Sequence, residues 1–453
     1  SAKKNVDLFY KIGASRGQDI IPSFTEAFNE DRDISLRIAQ WARDVRGGSG
    51  ERKIYRDILG FLDQRDIEAA KALLAKTAEI GRWDDLLVDF KSPELKAFAF
   101  SLIKEALEDR NGLCAKWMPR KGAVAVELRN FLGLSPKAYR KTLVELTKVV
   151  EQQMCANDWD EINFSQVPSV ASSRYKKAFG RHTEKYGEYI QSLVKGDDPK
   201  VKVNAGAVYP YDVIKGVRSH RYDMNYNANE LALVEKQWEA LPNYMDDANI
   251  LPMVDVSGSM STPAGGYQSK SKVTCLDVAL SLGLYCADKN QGAFKDTFLT
   301  FSGRPQLLNL KGSIVDKLST MDRSNWDMNT NLHSAMETVL ATALSGKVPQ
   351  EDMPETLLIL SDMQFDRCAK FDDSAMQMTQ RKFEIAGYQM PKIVFWNLNS
   401  YDNVPVKFNT SGVALVSGFS PALMKSLLSN DIEDFTPENV MLQTVMISRY
   451  DLA

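Results

Sequence analysis

Asp255, Ser257 and Ser259 stand two residues apart, directly after the apolar run Ile250-Leu-Pro-Met-Val254. A buried strand that delivers one carboxylate and two hydroxyls to its tip presents hard oxygen donors, the kind that Mg2+ and similar divalent cations take. Two later stretches extend the set. Trp326-Asp-Met-Asn-Thr330-Asn-Leu332 reads as a loop entering an apolar-periodic helix and offers the Thr330 hydroxyl. Thr356-Leu-Leu-Ile-Leu-Ser-Asp362 reads as a second buried strand that ends in a carboxylate. The expected ligands are therefore Asp255, Ser257, Ser259, Thr330 and Asp362, with Gly258 supplying the freedom to turn out of the strand. The residues also allow another reading, in which the two serines cap a helix and Asp255 pairs with a buried base. Asp327, Asp366 and Asp372 are close in sequence but are not expected as ligands. Asp366 suits a helix cap, and Phe365 and Trp326 suit the rim.

The elements that must position these residues alternate over 249–430. Strands are expected at Ile250–Val254, Thr297–Phe301, Gln306–Leu310, Thr356–Leu360, Lys392–Trp396 and Val413–Val416. Helices are expected at Thr274–Asp288, Leu332–Leu344, Ser374–Ala386 and Pro421–Leu428, the last with Ser420 as its cap. That alternation predicts a doubly wound, mostly parallel sheet covered on both faces, with the site at the C-terminal ends of the strands. Pro252 sits badly in a central strand and is expected near its start or at a bulge.

Asp-x-Ser-x-Ser, then Thr, then Asp, each at a strand tip or loop, resembles the metal-ion-dependent adhesion site of von Willebrand factor A (vWA) domains. The resemblance implies that the five side chains hold Mg2+ directly or through water. It also implies an open coordination position for a carboxylate from a protein partner.

Residues 1–240 read as helical throughout, with 197–249 connecting the two halves. Apolar residues recur at helical spacing over 34–41, 54–62, 69–80, 95–107 and 139–150, with Gly or Pro at most joins. Short helices in series with tight joins suggest antiparallel pairs stacked as a solenoid. Trp41-Ala-Arg-Asp-Val-Arg-Gly-Gly-Ser-Gly-Glu-Arg52 packs charge and glycine into one junction. It reads either as a binding segment or as a helix end with Arg43–Asp44 and Glu51–Arg52 ion pairs. Ala115-Lys-Trp-Met-Pro-Arg-Lys121 sets three bases around an aromatic. That suits phosphate neutralisation with base stacking, and equally a core Trp with bases at its rim. A further loop, 155–171, leads into a helix holding Arg174, Lys176, Lys177 and Arg181.

The order WARDVRGGSGER, GRWDDLL, AKWMP, YRK, DWDEINFSQVPSVA, followed by the vWA-like half, resembles the TROVE module of Ro ribonucleoproteins. It is more similar still to an uncharacterised TROVE-like family of bacteria, plants and phages. The resemblance implies a HEAT-like helical solenoid or ring at 1–245 and a vWA domain at 246–430. It implies an RNA-binding scaffold that takes small structured RNA or single-stranded ends. The residues expected on phosphates are Arg43, Arg46, Arg52, Lys116, Arg120, Lys121, Arg140, Lys141, Arg174, Lys177 and Arg181. Residues 431–453, acidic and then apolar, are expected to pack back on a domain.

The totals bound this reading. In 453 residues the net charge is -3, so the whole chain is no polycation. Base is concentrated instead, with eight Lys and Arg against two acids over 111–150 and eleven against five over 171–221. Five scattered cysteines with no Cys-x-x-Cys pair point to a reducing, cytoplasmic setting without structural zinc. No apolar run is long enough to span a membrane. His182, His220 and His333 are the only histidines, and none adjoins a nucleophile motif. No glycine-rich phosphate loop occurs either, so a binding protein is expected rather than an enzyme. A metal-dependent protein–protein adaptor without nucleic acid is the other reading.

Overall fold

The computed structural model describes residues 3–14, 19–45, 48–147, 149–203, 209–218, 228–264, 273–363, 369–370, 373–399, 406–408, 413–417, 427–428 and 436–452. It divides into two compact units, residues 1–207 with 442–453, and residues 208–441.

The first unit is helical among its described residues. Helices Lys3–Ala14, Ile21–Glu30, Arg32–Arg43, Arg52–Arg65 and Ile67–Leu74 pack on one another in chain order, and Pro93–Glu108 follows against Ile67–Leu74. Side-chain caps punctuate the series. Asp31, Asp66, Ser92, Asn111 and Ser135 each accept an amide at a helix start, satisfying donors that have no partner within the helix. Two expected helices are shorter than their apolar pattern. The 69–80 pattern breaks into Ile67–Leu74 and Thr77–Ile80, and the 139–150 pattern ends at Leu146. At the second break, Thr147 donates to the Leu143 carbonyl at 2.6 Å and accepts from Arg120 Nη2 at 3.2 Å. A hydroxyl bonded locally competes with the next helical turn.

Residues 208–245, expected with the helical half, fall in the second unit. Helix Pro210–Arg218 packs on helix Cys275–Lys289. Trp238 Nε1 donates to Asp288 at 3.3 Å, and the Tyr244 amide donates to Tyr285 Oη at 2.8 Å. The apolar faces of this stretch thus find their cover on a helix of the second unit.

Among its described residues that unit holds a seven-stranded sheet in the order β3-β2-β1-β5-β7-β9-β8. The strands are β1 Ile250–Val254, β2 Thr297–Thr300, β3 Leu307–Asn309, β5 Thr356–Ser361, β7 Lys392–Asn397, β8 Val406–Phe408 and β9 Ala414–Ser417. Its centre is parallel, and only the edge strands β3 and β8 run antiparallel. A separate parallel pair joins β4, Thr330–Asn331, to β6, Ala369–Lys370. β1 and β5 are buried along their whole length, as continuous apolar strands covered on both faces must be. Helices Cys275–Lys289, Leu332–Ser345 and Asp373–Ile385 match expectation within a residue. Helix Ile314–Asp322 was not foreseen, although Ser313 and Asp316 form a capping box at its start.

Pro252 is the third of five residues in a central strand, not at its start or at a bulge. Successive residues of a strand face opposite neighbours. The Asp255 amide donates to Leu360 of β5, so residues 255, 253 and 251 face β5 while 252 and 250 face β2. Pairing with β2 begins only at Met253, so the missing N–H of Pro252 lies where no ladder bond is made. Beside it, Asn290 closes the strand edge with both halves of its amide. Its Oδ1 accepts from the Ile250 amide and its Nδ2 donates to the Ile250 carbonyl, each at 2.8 Å.

Candidate metal centre

Because β1 and β5 are parallel neighbours in register, with Val254 opposite Leu360, their C-terminal tips emerge side by side. Asp255 leaves one tip, and Ser361 and Asp362 leave the other. Asp255 is fully buried. Its Oδ1 accepts from the Ser257 amide at 2.9 Å, and its Oδ2 accepts from Ser361 Oγ at 2.8 Å. Ser257 Oγ and Ser259 Oγ lie 3.2 Å apart, so both hydroxyls converge beyond the strand. Gly258 opens a short 3-10 turn, and a Cβ there would meet nothing within 4 Å. The expectation that this turn requires glycine is therefore corrected, because its φ is negative and the space is open.

Thr330 is fully buried at the C-terminal end of the same strands. Its hydroxyl donates to the Ser302 carbonyl at 3.2 Å and lies 3.4 Å from Met253 Sδ of β1. Ser302 follows β2, and its Oγ lies 3.1 Å from Thr300 Oγ1. The Thr330 hydroxyl is thus engaged by protein groups beside β1.

The electrostatics are those of two carboxyls without a counter-charge among the described residues. Burial pushes the Asp255 carboxyl above the usual carboxylate range, and the charge of Asp362 pushes it further, against the pull of the Ser257 and Ser361 bonds. Burial also raises the Cys275 thiol to about 11, with Asp362 and Asp255 again adding. Neither carboxylate has an ion pair among the described residues, so none of these supplies the buried base of the other reading. Asp362 Oδ1 is buried and has no hydrogen-bond partner among the described residues. A carboxylate oxygen left so is costly unless a cation or water completes it. No group of three His, Cys, Asp or Glu side chains is placed to hold a metal among the described residues. A donor set of two carboxylates and three hydroxyls has only two members of those types.

Ser361 was not foreseen. Its signal was a hydroxyl directly before Asp362 at a strand end, on a strand paired with that of Asp255. Trp326 and Met328 are exposed in the loop before Thr330. His333 begins the following helix, with Nδ1 buried and unbonded among the described residues. Phe365, Asp366, Asp372, Ser420 and Pro421 lie outside the described residues.

The eleven basic candidates separate by environment. Arg43 is 3% exposed and held by Asp85, so burial removes it from any set that meets a polyanion. Its expected partner Asp44 is taken by Arg449 instead. Lys116 pairs with Glu151 at 3.4 Å and Lys141 stands 3.9 Å from Glu145. Arg120 is spent on the carbonyls of Ala115, Lys116 and Met118, where it closes the turn after helix Gly112–Trp117. The Arg82 guanidinium lies 3.8 Å over the Trp117 ring, which occupies one face of the expected stacking platform. Arg52, Lys121, Arg140, Arg174, Lys177 and Arg181 are exposed and carry no ion pair among the described residues. Three of them, Arg174, Lys177 and Arg181, stand three and four residues apart on helix Ser169–His182, along one of its faces. Beside that helix end, His182 stacks on Trp159 with ring centroids 4.3 Å apart. Arg46 lies outside the described residues.

No helix among the described residues is long and apolar enough to cross a membrane. Comparison with known proteins finds two family profiles. A domain of unknown function, DUF2828, matches residues 121–251, and a second, DUF7788, matches residues 249–448. The uncharacterised protein L728 of Acanthamoeba polyphaga mimivirus is 31% identical over 507 aligned positions, covering 97% of this chain and 84% of that protein. Among solved structures, the Ro (RSR) protein of Deinococcus radiodurans aligns over 95% of this chain and 99% of its own, at 11% identity and a TM-score of 0.38.

Proposed function

We propose, for a chain that belongs to one family with the mimivirus protein L728, a Ro-like RNA-binding scaffold without catalytic turnover. In this reading residues 1–207 form a HEAT-like solenoid or ring that takes RNA phosphates. The second unit is a vWA domain that holds Mg2+ and, through it, an acidic group of a partner. The protein works in the cytoplasm.

The observation that carries the RNA half is the stripe of Arg174, Lys177 and Arg181, three exposed cations on one helix face with no carboxylate partner among the described residues. A fixed row of unpaired cations is a site for successive phosphates. The metal half is supported by the buried Asp255 and the orphaned Asp362 oxygen. Asp255, Ser257, Ser259, Thr330 and Asp362 would supply the oxygens, with Ser361 orienting the Asp255 carboxylate. A bound divalent cation would act as a Lewis acid that accepts a partner carboxylate. The protein's own part is to hold its donors and keep them dry.

The test is a titration of fluorescent single-stranded RNA at rising salt. Binding that weakens steeply with salt supports the reading, and absence of binding at low salt ends it. The adaptor reading has its own observation, exposed Trp326 and Met328 beside Thr330, an apolar rim suited to a protein surface. It is favoured if Asp255→Ala abolishes capture of a protein partner while RNA binding is absent.

A further inference from the structure

The segment Ile447–Leu452 contains one short 3-10 turn, Ser448–Tyr450, and no longer regular element. Side chains of the first unit hold it in place. Gln40 Nε2 donates to the Tyr450 carbonyl at 2.8 Å, and Lys76 Nζ donates to the carbonyls of Arg449 at 2.5 Å and Asp451 at 2.7 Å. Arg37 donates to the carbonyls of Val445 and Ile447, each at 3.3 Å, and pairs with Asp451 at 2.7 Å. In return Arg449 grips both oxygens of Asp44 at 2.6 and 2.9 Å and donates to the Glu79 carbonyl at 2.8 Å. The Tyr450 ring is buried, and its hydroxyl donates to Asp44 at 2.7 Å.

These contacts have the character of a receptor on a peptide. Three side chains, Arg37, Gln40 and Lys76, read five backbone carbonyls of the segment, and two fixed charges, Asp44 and Arg37, read its Arg and Asp. The receptor residues lie within 37–79 and the ligand within 445–452, with the whole second unit between them in sequence.

We propose that this face of the first unit is a peptide-docking groove for an Arg-Tyr-Asp segment, filled in cis in this structure, and that the same groove takes the segment from a second copy of the chain. Each copy carries both halves of the interface, so an exchange is reciprocal and closes as a symmetric dimer. A tethered segment acts at an effective concentration on the order of millimolar, so the cis contact dominates until it is weakened.

The first experiment uses two full-length variants with reciprocal charges, Asp44→Arg and Arg449→Asp. Each alone has a mismatched groove and segment. Mixed one to one, each groove faces a matching segment only on the other variant. A species of twice the chain mass, seen by light scattering in the mixture and in neither component, is expected. A mixture indistinguishable from its folded components overturns the exchange. The second experiment keeps the proposal testable if a reversal misfolds. A fluorescein-labelled peptide of residues 445–452 is titrated into wild type, into Arg449→Lys, which loses the two-pronged grip, and into Arg449→Lys with Lys76→Met. Binding at least tenfold tighter to Arg449→Lys than to wild type, lost on adding Lys76→Met, is expected. Equal binding to all three overturns the groove.

Discussion

Arg43 Nε lies 2.7 Å from Asp85 Oδ2, and both side chains are sealed from solvent. From the sequence Arg43 is one more cation in a basic junction. In the fold it answers a buried carboxylate that also takes Arg56 at 2.9 Å and the Arg82 amide at 3.0 Å. Removing one partner of a buried pair leaves the other charge uncompensated, at roughly 3–5 kcal/mol. Arg56 still faces Asp85, which sets the expectation at the lower end. Arg43→Ala should lower unfolding stability in urea by about 3 kcal/mol, and Arg174→Ala on the exposed stripe by less than about 0.5 kcal/mol. Equal losses in the two variants would place Arg43 at the surface.

Mg2+ should raise the melting temperature of the wild type and not that of Asp255→Asn. A ligand that binds only the folded state adds about 2.7 kcal/mol at one hundred times its dissociation constant. Asp255→Asn keeps the shape while removing the charge a cation needs, and its one carbonyl oxygen can still accept from either the Ser257 amide or Ser361 Oγ. Calorimetric scans with Mg2+ and with a chelator decide it, and identical responses in the two proteins would remove the metal from the centre.

Reversal of Arg174, Lys177 and Arg181 to Glu should weaken single-stranded RNA binding and flatten its salt dependence. Each phosphate contact contributes a slope of about -0.7 in log affinity against log salt, so three lost contacts reduce the slope by about 2. The paired reversal of Lys116 and Lys141, which already face Glu151 and Glu145, should change the slope far less. The same slope in all three proteins would place the phosphates elsewhere.

The sheet was legible because its strands are short apolar runs ending in polar or turn residues, and that pattern survives without tertiary knowledge. Asp255 and Asp362 were legible for the same reason, since each directly follows such a run or its last hydroxyl. The helical half was legible as helices but not as helix ends. Thr147 stands where its helix ends, its hydroxyl bonded both to the Leu143 carbonyl and to Arg120, a partner 27 residues away that no local pattern records. The fates of the basic residues were hidden for the same reason. Arg43, Arg120 and Lys121 look alike in the letters, and only packing distinguishes a buried ion pair, a carbonyl clamp and an exposed cation. The unit boundary was hidden because apolar spacing at 210–239 fixes a helical face but not which neighbour covers it.

Asn290 supports the last prediction. It stands at the end of helix Cys275–Lys289 and is 1% exposed. Its amide supplies Ile250 with the two bonds that β2 does not make at that level of the sheet, two residues before the proline that has no N–H to donate. Asn290→Ala therefore leaves a buried amide and a buried carbonyl unpaired at the root of the strand that carries Asp255. Each such group costs about 1–3 kcal/mol, so a loss of about 2–6 kcal/mol is expected in urea. Asn290→Asp keeps the acceptor for the Ile250 amide but sets an oxygen against the Ile250 carbonyl, and it should be no more stable than the alanine variant. Because Asn290 lies at the opposite end of β1 from Asp255, a folded Asn290→Ala protein should bind Mg2+ with wild-type affinity. A variant that keeps its stability but loses Mg2+ would mean that the root of the strand, and not its tip, governs the centre.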